Sequence, residues 1–139
     1  MQDKKISYWK FSDRCYQLAK PYRFKTRCRP TQVVSIPFVT LEPDGQCVLD
    51  TGFAFDGASG PVIQTKSILR CAAEHDAKYR LMREGLLDAK INQPIADSEF
   101  REGLIMDGVF SIRAETFYIA VHEFGKKSTS GGNPIEVAP

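Results

Sequence analysis

A strong turn signal between two β-rich runs is the feature that most limits how this chain can fold. Pro43-Asp44-Gly45 separates the run 32–41, which is rich in Val and other strand-forming residues, from a second run over 47–55. Proline and glycine favour the backbone angles of tight turns, whereas β-branched and aromatic residues favour strands. The pattern therefore predicts an antiparallel hairpin in the first half of the chain.

Three helices are predicted after the hairpin. Apolar residues recur at helical spacing over 67–87, 95–106 and 112–124, and the segment 88–94 is expected to be a loop. A β-hairpin or small antiparallel sheet followed by three α-helices is an α+β fold. We expect one domain over residues 1–126. The polar, Gly- and Ser-rich tail over 127–139 is expected to be flexible on its own and to pack on a neighbouring subunit.

The size of the chain, 139 residues, suits a single domain with its own core. No apolar run reaches the roughly 20 residues of a membrane span. The first residues, Met-Gln-Asp-Lys-Lys-Ile, lack the apolar centre of a signal peptide, so we expect synthesis in the cytoplasm without a leader. The four cysteines are widely spaced and lack zinc-binding spacing, which predicts reduced, buried thiols.

The first 30 residues are strongly basic, although the net charge of the whole chain is only +2. They carry nine Lys and Arg against two acids, interleaved with six aromatic residues. Residues 4–29 are therefore a candidate contact for an anionic membrane. The alternative is a pair of strands with a solvated basic face, and 15–25 is expected to be an edge strand because Pro21 cannot donate to a central ladder. Nucleic-acid binding is the weaker interpretation, since no recognised motif supports it.

A histidine and several carboxylates lie on or near the first two predicted helices. His75 and Tyr79 are one turn apart and share a face, whereas the neighbouring Asp76 points about 100° away around the axis. A neutral histidine takes a proton from water most effectively when a carboxylate fixes its other nitrogen, and Asp97 is the candidate. We therefore predict that His75 and Asp97 lie within hydrogen-bonding distance, with Tyr79 beside them.

The glycine-rich turn before the first helix supplies candidate ligands for a cation. Asp56 and Gly57 begin this turn, and its backbone carbonyls can point toward an ion. Together with Asp76 they would offer the oxygen ligands that calcium prefers, at about 2.3–2.6 Å. A metal next to an activated water would polarise an ester carbonyl, so these residues are consistent with metal-assisted hydrolysis.

The pattern Cys71-x3-His75-Asp76-x2-Tyr79 resembles the active-site helix of secreted phospholipase A2, which reads Cys-x3-His-Asp-x2-Tyr. The resemblance implies that His75 is the general base and Asp76 a calcium ligand. It implies that Asp97 orients the histidine and that Tyr79 supports Asp97. It also implies that the turn at 56–57 completes the calcium site.

A larger part of the chain, about residues 32–126, resembles the phage and bacterial family called domain of unknown function 1353. The matching motifs are Gly52-Phe-x-x-Asp56-Gly-Ala-Ser59, Ala72-Ala-x-His75-Asp76-x-x-Tyr79, Ala96-Asp97-x-x-Phe100 and Arg113-Ala114. This family has no established activity to carry over, but the resemblance implies an origin in a phage or a bacterium.

Two interpretations of function follow. The first is a phage-associated structural or accessory protein, such as a tail or baseplate component, that carries a phospholipase-A2-like cluster and is incorporated in a virion. Its partners would be other phage structural proteins or further copies of the chain. In that case His75 and Asp97 join two helices, and Asp76 caps the preceding turn without a metal. The alternative is a calcium-dependent phospholipid ester hydrolase that a phage uses when it enters or lyses its host.

Overall fold

The computed structural model describes residues 5–12, 15–57 and 66–106. Seven β-strands come first in these residues: β1 Tyr8–Lys10, β2 Cys15–Leu18, β3 Tyr22–Lys25, β4 Val34–Ile36, β5 Val39–Leu41, β6 Gln46–Leu49 and β7 Ala54–Asp56. Two helices follow, α1 Lys66–Arg83 and α2 Ala89–Met106.

The order of strands before helices confirms the predicted α+β class, but two details of the prediction are wrong. Two helices, rather than three, follow the strands in the part of the chain that the structure describes; the third predicted helix, 112–124, lies outside it. The strands form two antiparallel sheets rather than a single hairpin or small sheet. The predicted tail, 127–139, also lies outside the described residues.

The predicted hairpin is present as β5 and β6 in a four-stranded sheet with the order β3-β6-β5-β4. Its turn depends on Gly45, which has a φ of 92°, a conformation that glycine adopts without a steric cost. A Cβ atom at this position would lie 2.2 Å from the carbonyl oxygen of Thr26. Asp44 accepts a hydrogen bond of 2.9 Å from the backbone N–H of Gln46 and stabilises the turn from within.

Two of the long predicted strands are divided, and this division creates the second sheet. The segment 15–25, expected to be one edge strand, forms β2 and β3, which belong to different sheets. Pro21 lies at the break, where it has no ladder bond to donate. The segment 47–55 divides in the same way at Gly52, which has a φ of 99°. The N–H of Gly52 donates to the carbonyl oxygen of Leu18 at 2.9 Å. The segments 15–25 and 47–55 are therefore adjacent at the point where each passes from one sheet into the second sheet.

The side chains that face inward from both sheets form one core with α1. Aromatic rings on and next to the three-stranded sheet β1-β2-β7 stack on one another: the centroids of Tyr16 and Phe55 are 5.7 Å apart, and those of Phe55 and Phe53, which precedes β7, are 6.1 Å apart. The apolar face of α1 completes the core with Leu69, Ala73, Ala77 and Leu81. Burying a side chain the size of leucine or phenylalanine contributes about 1.5–3 kcal/mol, so this packing fixes α1 on the sheets.

The first helix ends in a well-defined C-terminal cap. Gly85 has a φ of 77°, and its N–H donates to the carbonyl oxygen of Met82 at 3.0 Å. The N–H of Leu86 reaches the carbonyl oxygen of Leu81 at 2.9 Å, which completes a Schellman motif. The helix therefore ends at Arg83, four residues before the predicted end of the segment 67–87.

The second helix begins six residues earlier than predicted. The prediction of a loop over 88–94 is wrong: these residues begin α2 from Ala89 on, and Pro94 lies exposed inside the helix. Asp88 is the N-cap, and its carboxylate accepts the backbone N–H of Ile91 at 3.1 Å. The side-chain amide of Asn92 donates to the carbonyl oxygen of Asp88 at 2.8 Å and adds to the cap. None of the helices in the described ranges is long and apolar enough to cross a membrane.

Candidate functional site

The candidate site lies where α1 and α2 pack against each other. His75 and Tyr79 are one turn apart on α1, and Asp97 and Phe100 are one turn apart on α2. Each pair shares a helix face because residues three or four apart are neighbours on an α-helix. The two faces meet, so the structure brings together all three residues that were predicted to form the catalytic group.

His75 and Asp97 form a close pair. The Nε2 atom of His75 is 2.7 Å from Oδ1 of Asp97. Only 12% of the His75 side chain is exposed, and Asp97 is completely buried. A buried carboxylate is costly unless hydrogen bonds replace its lost water, and this pair supplies one of those bonds.

Tyr79 supplies a second hydrogen bond to the same carboxylate. Its hydroxyl group donates to Oδ1 of Asp97, the atom that also contacts His75. The imidazole ring is enclosed by two aromatic rings, with centroid distances of 4.1 Å to Tyr79 and 5.2 Å to Phe100. These contacts restrict the rotation of the ring and fix the direction of its second nitrogen.

The arrangement determines which nitrogen of His75 is available for chemistry. A carboxylate accepts hydrogen bonds, so in the neutral ring the hydrogen belongs on Nε2, facing Asp97. The Nδ1 atom then carries the lone pair, and it makes no hydrogen bond to any other described residue. A histidine in this state can accept a proton at Nδ1 while Asp97 stabilises the resulting positive charge.

Asp76, a predicted calcium ligand, forms an ion pair with Arg80 one turn further along α1. The distance from Arg80 Nη2 to Asp76 Oδ2 is 2.8 Å. The same guanidinium nitrogen donates to the carbonyl oxygen of Ala54 on β7. Burial raises the pKa of Asp76; the positive charge of Arg80 opposes this, and the negative charge of Asp56 adds to it.

The other two predicted metal residues lie at the end of β7. Asp56 is exposed and Gly57 is half-buried, and the rest of the predicted turn, 58–61, lies outside the described residues. Within the described ranges, no three His, Cys, Asp or Glu side chains converge in a group that could hold a metal ion. One carboxylate oxygen of Asp76, Oδ2, and the carbonyl oxygen of Ala54 accept hydrogen bonds from Arg80.

A second buried cluster of charges was not predicted from the sequence. Lys78 of α1 lies 2.9 Å from Glu99 of α2, and the Lys78 ammonium group is 5.5 Å from the centroid of the Phe24 ring. Burial opposes the charge of Lys78, but Glu99 and Glu74 outweigh this effect and raise its pKa. The hydroxyl of Thr26 donates to Glu99 at 2.5 Å, so the cluster also connects the helices to the loop after β3.

The basic N-terminal segment exposes two aromatic side chains. Trp9 is 55% exposed and Phe11 is 67% exposed, and they lie two residues apart at the end of edge strand β1. Tyr16, Tyr22 and Phe24 of the same segment are buried in the core instead. The segment therefore contributes aromatic side chains to the core and also presents Trp9 and Phe11 to solvent.

The cysteines are free, as expected from their spacing. Cys28, Cys47 and Cys71 are buried and Cys15 is half-buried. Burial raises the pKa of Cys47 to about 12, so this thiol stays protonated at neutral pH and is a poor nucleophile.

Comparisons of the chain with protein-family models, with curated proteins and with solved structures returned no match. The resemblance to domain of unknown function 1353 and to secreted phospholipase A2 therefore remains a hypothesis that rests on sequence motifs. The function has to be argued from the geometry of the site itself.

Proposed function

We propose that the protein is an ester hydrolase in which His75 is the general base. One observation carries the proposal: Nε2 of His75 is fixed by a carboxylate that Tyr79 also holds, while Nδ1 has no hydrogen-bond partner among the described residues. A histidine that served only to join the helices would need the contact between Nε2 and Asp97, but it would not need an available lone pair on Nδ1. The buried orienting carboxylate and the available nitrogen together suit proton transfer from water.

The reaction follows from this geometry. Nδ1 of His75 takes a proton from water as the water oxygen attacks the ester carbonyl, and Asp97 stabilises the imidazolium ion that forms. The ester C–O bond then breaks, and the imidazolium ion returns the proton to the leaving alkoxide. The products are a carboxylic acid and an alcohol, and the histidine ends in its starting state. Calcium has no step in this proposal, because Oδ2 of the candidate ligand Asp76 already accepts a hydrogen bond from Arg80.

Phospholipid is the ester class that we propose as substrate. The motif shared with secreted phospholipase A2 supports this class, and so does the basic segment 4–29. Trp9 and Phe11 are exposed on either side of Lys10, which combines apolar surface with positive charge. Aromatic and basic side chains in this combination bind the interface of anionic membranes.

The experiment is release of fatty acid from vesicles of phosphatidylcholine and phosphatidylglycerol, measured beside hydrolysis of a soluble p-nitrophenyl ester. We expect the wild-type protein to hydrolyse at least one of these substrates in chelator. His75→Gln should lower the rate by about 100-fold or more, since a general base contributes roughly that factor. Lys90→Ala, an exposed substitution on α2, is the control and should leave the rate unchanged. No hydrolysis by the wild type, or equal rates for wild type and His75→Gln, would refute the proposal.

A second candidate function is a structural or accessory role in a phage particle, with other phage proteins or further copies of the chain as partners. The complete burial of Asp97 favours it, because a buried carboxylate with donors from the facing helix links α1 and α2 whether or not catalysis occurs. The same variants separate the two functions. A purely structural cluster predicts that the wild type hydrolyses neither substrate and that His75→Gln lowers only the stability.

A further inference from the structure

We infer that Arg80 is the resident cation of the Asp76 carboxylate and keeps a divalent cation from Oδ2 of Asp76 and the carbonyl oxygen of Ala54. Asp76 then requires no calcium, and its charge is balanced from within α1. The inference concerns the cation and is independent of whether His75 catalyses hydrolysis.

The polar contacts of Arg80 are made by one terminal nitrogen of its guanidinium group. Nη2 donates to Asp76 Oδ2 at 2.8 Å and also to the carbonyl oxygen of Ala54. A terminal guanidinium nitrogen has two hydrogens, so these acceptors use both. The guanidinium carbon lies 4.6 Å from the centroid of the Phe53 ring, which adds a cation–π contact.

The carbonyl oxygen of Ala54 is available because of its position in the sheet. Strand β7 is an edge strand, and Ala54 is opposite Gln17 of β2. The N–H of Leu18 donates to the carbonyl oxygen of Phe53, so Gln17 and Ala54 form a non-hydrogen-bonded pair. The Ala54 carbonyl therefore points away from β2 toward the open edge, where Arg80 satisfies it.

A carboxylate oxygen and an outward backbone carbonyl are the kinds of ligand that calcium takes. A calcium ion could bind Oδ2 of Asp76 and the carbonyl oxygen of Ala54 together only by displacing Nη2 of Arg80 from both atoms. Arg80 would then lose an ion pair and a hydrogen bond although only 32% of its side chain is exposed. Displacement is therefore costly, and Arg80 keeps the metal out.

The inference makes a gain-of-function prediction. Without the guanidinium group, Asp76 and Ala54 have free oxygens, and Asp56 brings a second negative charge close to Asp76. Arg80→Ala should therefore convert the arginine site into a site for a divalent cation. Arg80→Lys should preserve a resident cation and should not respond to calcium.

The test is thermal melting of the full chain in chelator and in millimolar calcium. We expect the melting temperature of the wild type to be the same in chelator and in calcium, and likewise that of Arg80→Lys. Arg80→Ala should melt at least about 3 °C below the wild type in chelator and should recover part of that loss in calcium. The double variant Arg80→Ala/Asp76→Asn should not respond. Arg23→Ala, at an exposed arginine on β3, is the matched control and should behave as the wild type.

Two results would overturn the inference. One is a calcium-dependent rise in the melting temperature of the wild type that disappears in Asp76→Asn. The other is a folded Arg80→Ala protein that calcium does not stabilise. If Arg80→Ala does not fold, the wild type is compared with Asp76→Asn. An equal effect of calcium on the melting temperatures of both proteins supports the inference. A rise in the melting temperature of the wild type alone refutes it.

Discussion

Lys78 and Glu99 form an ion pair with 2.9 Å between Nζ and Oε1, although only 3% of the lysine side chain and 13% of the glutamate side chain are exposed. The pair is a second polar link between α1 and α2, three residues along α1 from His75. Glu99 also accepts the backbone N–H of Arg27 at 2.9 Å, so one carboxylate connects both helices to the end of β3. The helix pair that carries the candidate site is therefore fixed by buried charges as well as by apolar packing.

This carboxylate should make the stability of the protein sensitive to acid. Burial favours the protonated form of Glu99, but the charge of Lys78 and the hydrogen bonds from Thr26 and Arg27 outweigh burial and lower its pKa. A carboxyl group whose pKa is lower in the folded state stabilises the fold above its unfolded-state pKa, about 4.3 for glutamate. That contribution is lost as the pH falls through the lower, folded-state pKa.

We expect Glu99→Gln to lower the free energy of unfolding at pH 7 by about 3 kcal/mol, because it leaves Lys78 buried without its counter-charge. The variant should also lose less stability than the wild type as the pH falls below about 5. Urea unfolding over a series of pH values measures both effects, with exposed Glu42→Gln as the control. Parallel pH profiles for wild type and Glu99→Gln would contradict this assignment.

Tyr79→Phe tests the second donor to Asp97. The substitution removes the hydroxyl that binds the buried carboxylate and leaves the ring that packs on His75. We expect the free energy of unfolding to fall by about 1–2 kcal/mol. Tyr8→Phe is the control, because Tyr8 packs edge-on against Tyr16 and none of its described contacts is a hydroxyl hydrogen bond. Equal urea midpoints for the two variants would show that the hydroxyl of Tyr79 contributes nothing to the cluster.

Gly45→Ala and Gly85→Ala form a matched pair for the backbone. Both glycines have a positive φ, so each substitution carries a conformational cost of about 1 kcal/mol. At Gly45 the new Cβ atom would also meet the carbonyl oxygen of Thr26 at 2.2 Å, whereas at Gly85 it would meet nothing within 4 Å. We expect Gly45→Ala to cost at least about 3 kcal/mol in total. Similar unfolding free energies for the two variants would disprove the close approach at the hairpin turn.

The His75 group could be predicted from the sequence because helical spacing fixes it locally. His75 and Tyr79 are one turn apart, and a carboxylate at Asp97 has to point toward the first helix if Phe100 does. The ion pair of Asp76 and Arg80 has the same i,i+4 spacing, although Asp76 was predicted to be a metal ligand. The second contact of Arg80, to the carbonyl oxygen of Ala54, depends on which side of edge strand β7 that carbonyl faces. The spacing of residues in the sequence does not reveal this direction.

Other features depend on contacts between distant parts of the chain. Nothing near Lys78 in the sequence indicates that Glu99 and Thr26 will surround it, because α1, α2 and the end of β3 meet only in the folded protein. The early start of α2 was not predicted, although Asp88 caps it and Pro94 lies on its exposed face. Proline removes one helical hydrogen bond, and the fold tolerates that loss on an exposed face.

The most direct test of the account is the tautomer of His75, measured by nitrogen-15 NMR at a pH where the ring is neutral. The signal is assigned by its disappearance in His75→Gln, which separates it from that of His122, the other histidine. The account predicts a hydrogen on Nε2, facing Asp97, and an unprotonated Nδ1. Asp97→Asn should perturb this state, since it replaces the charged acceptor. A hydrogen on Nδ1 in the neutral wild-type ring would contradict the proposed role of His75 as a base.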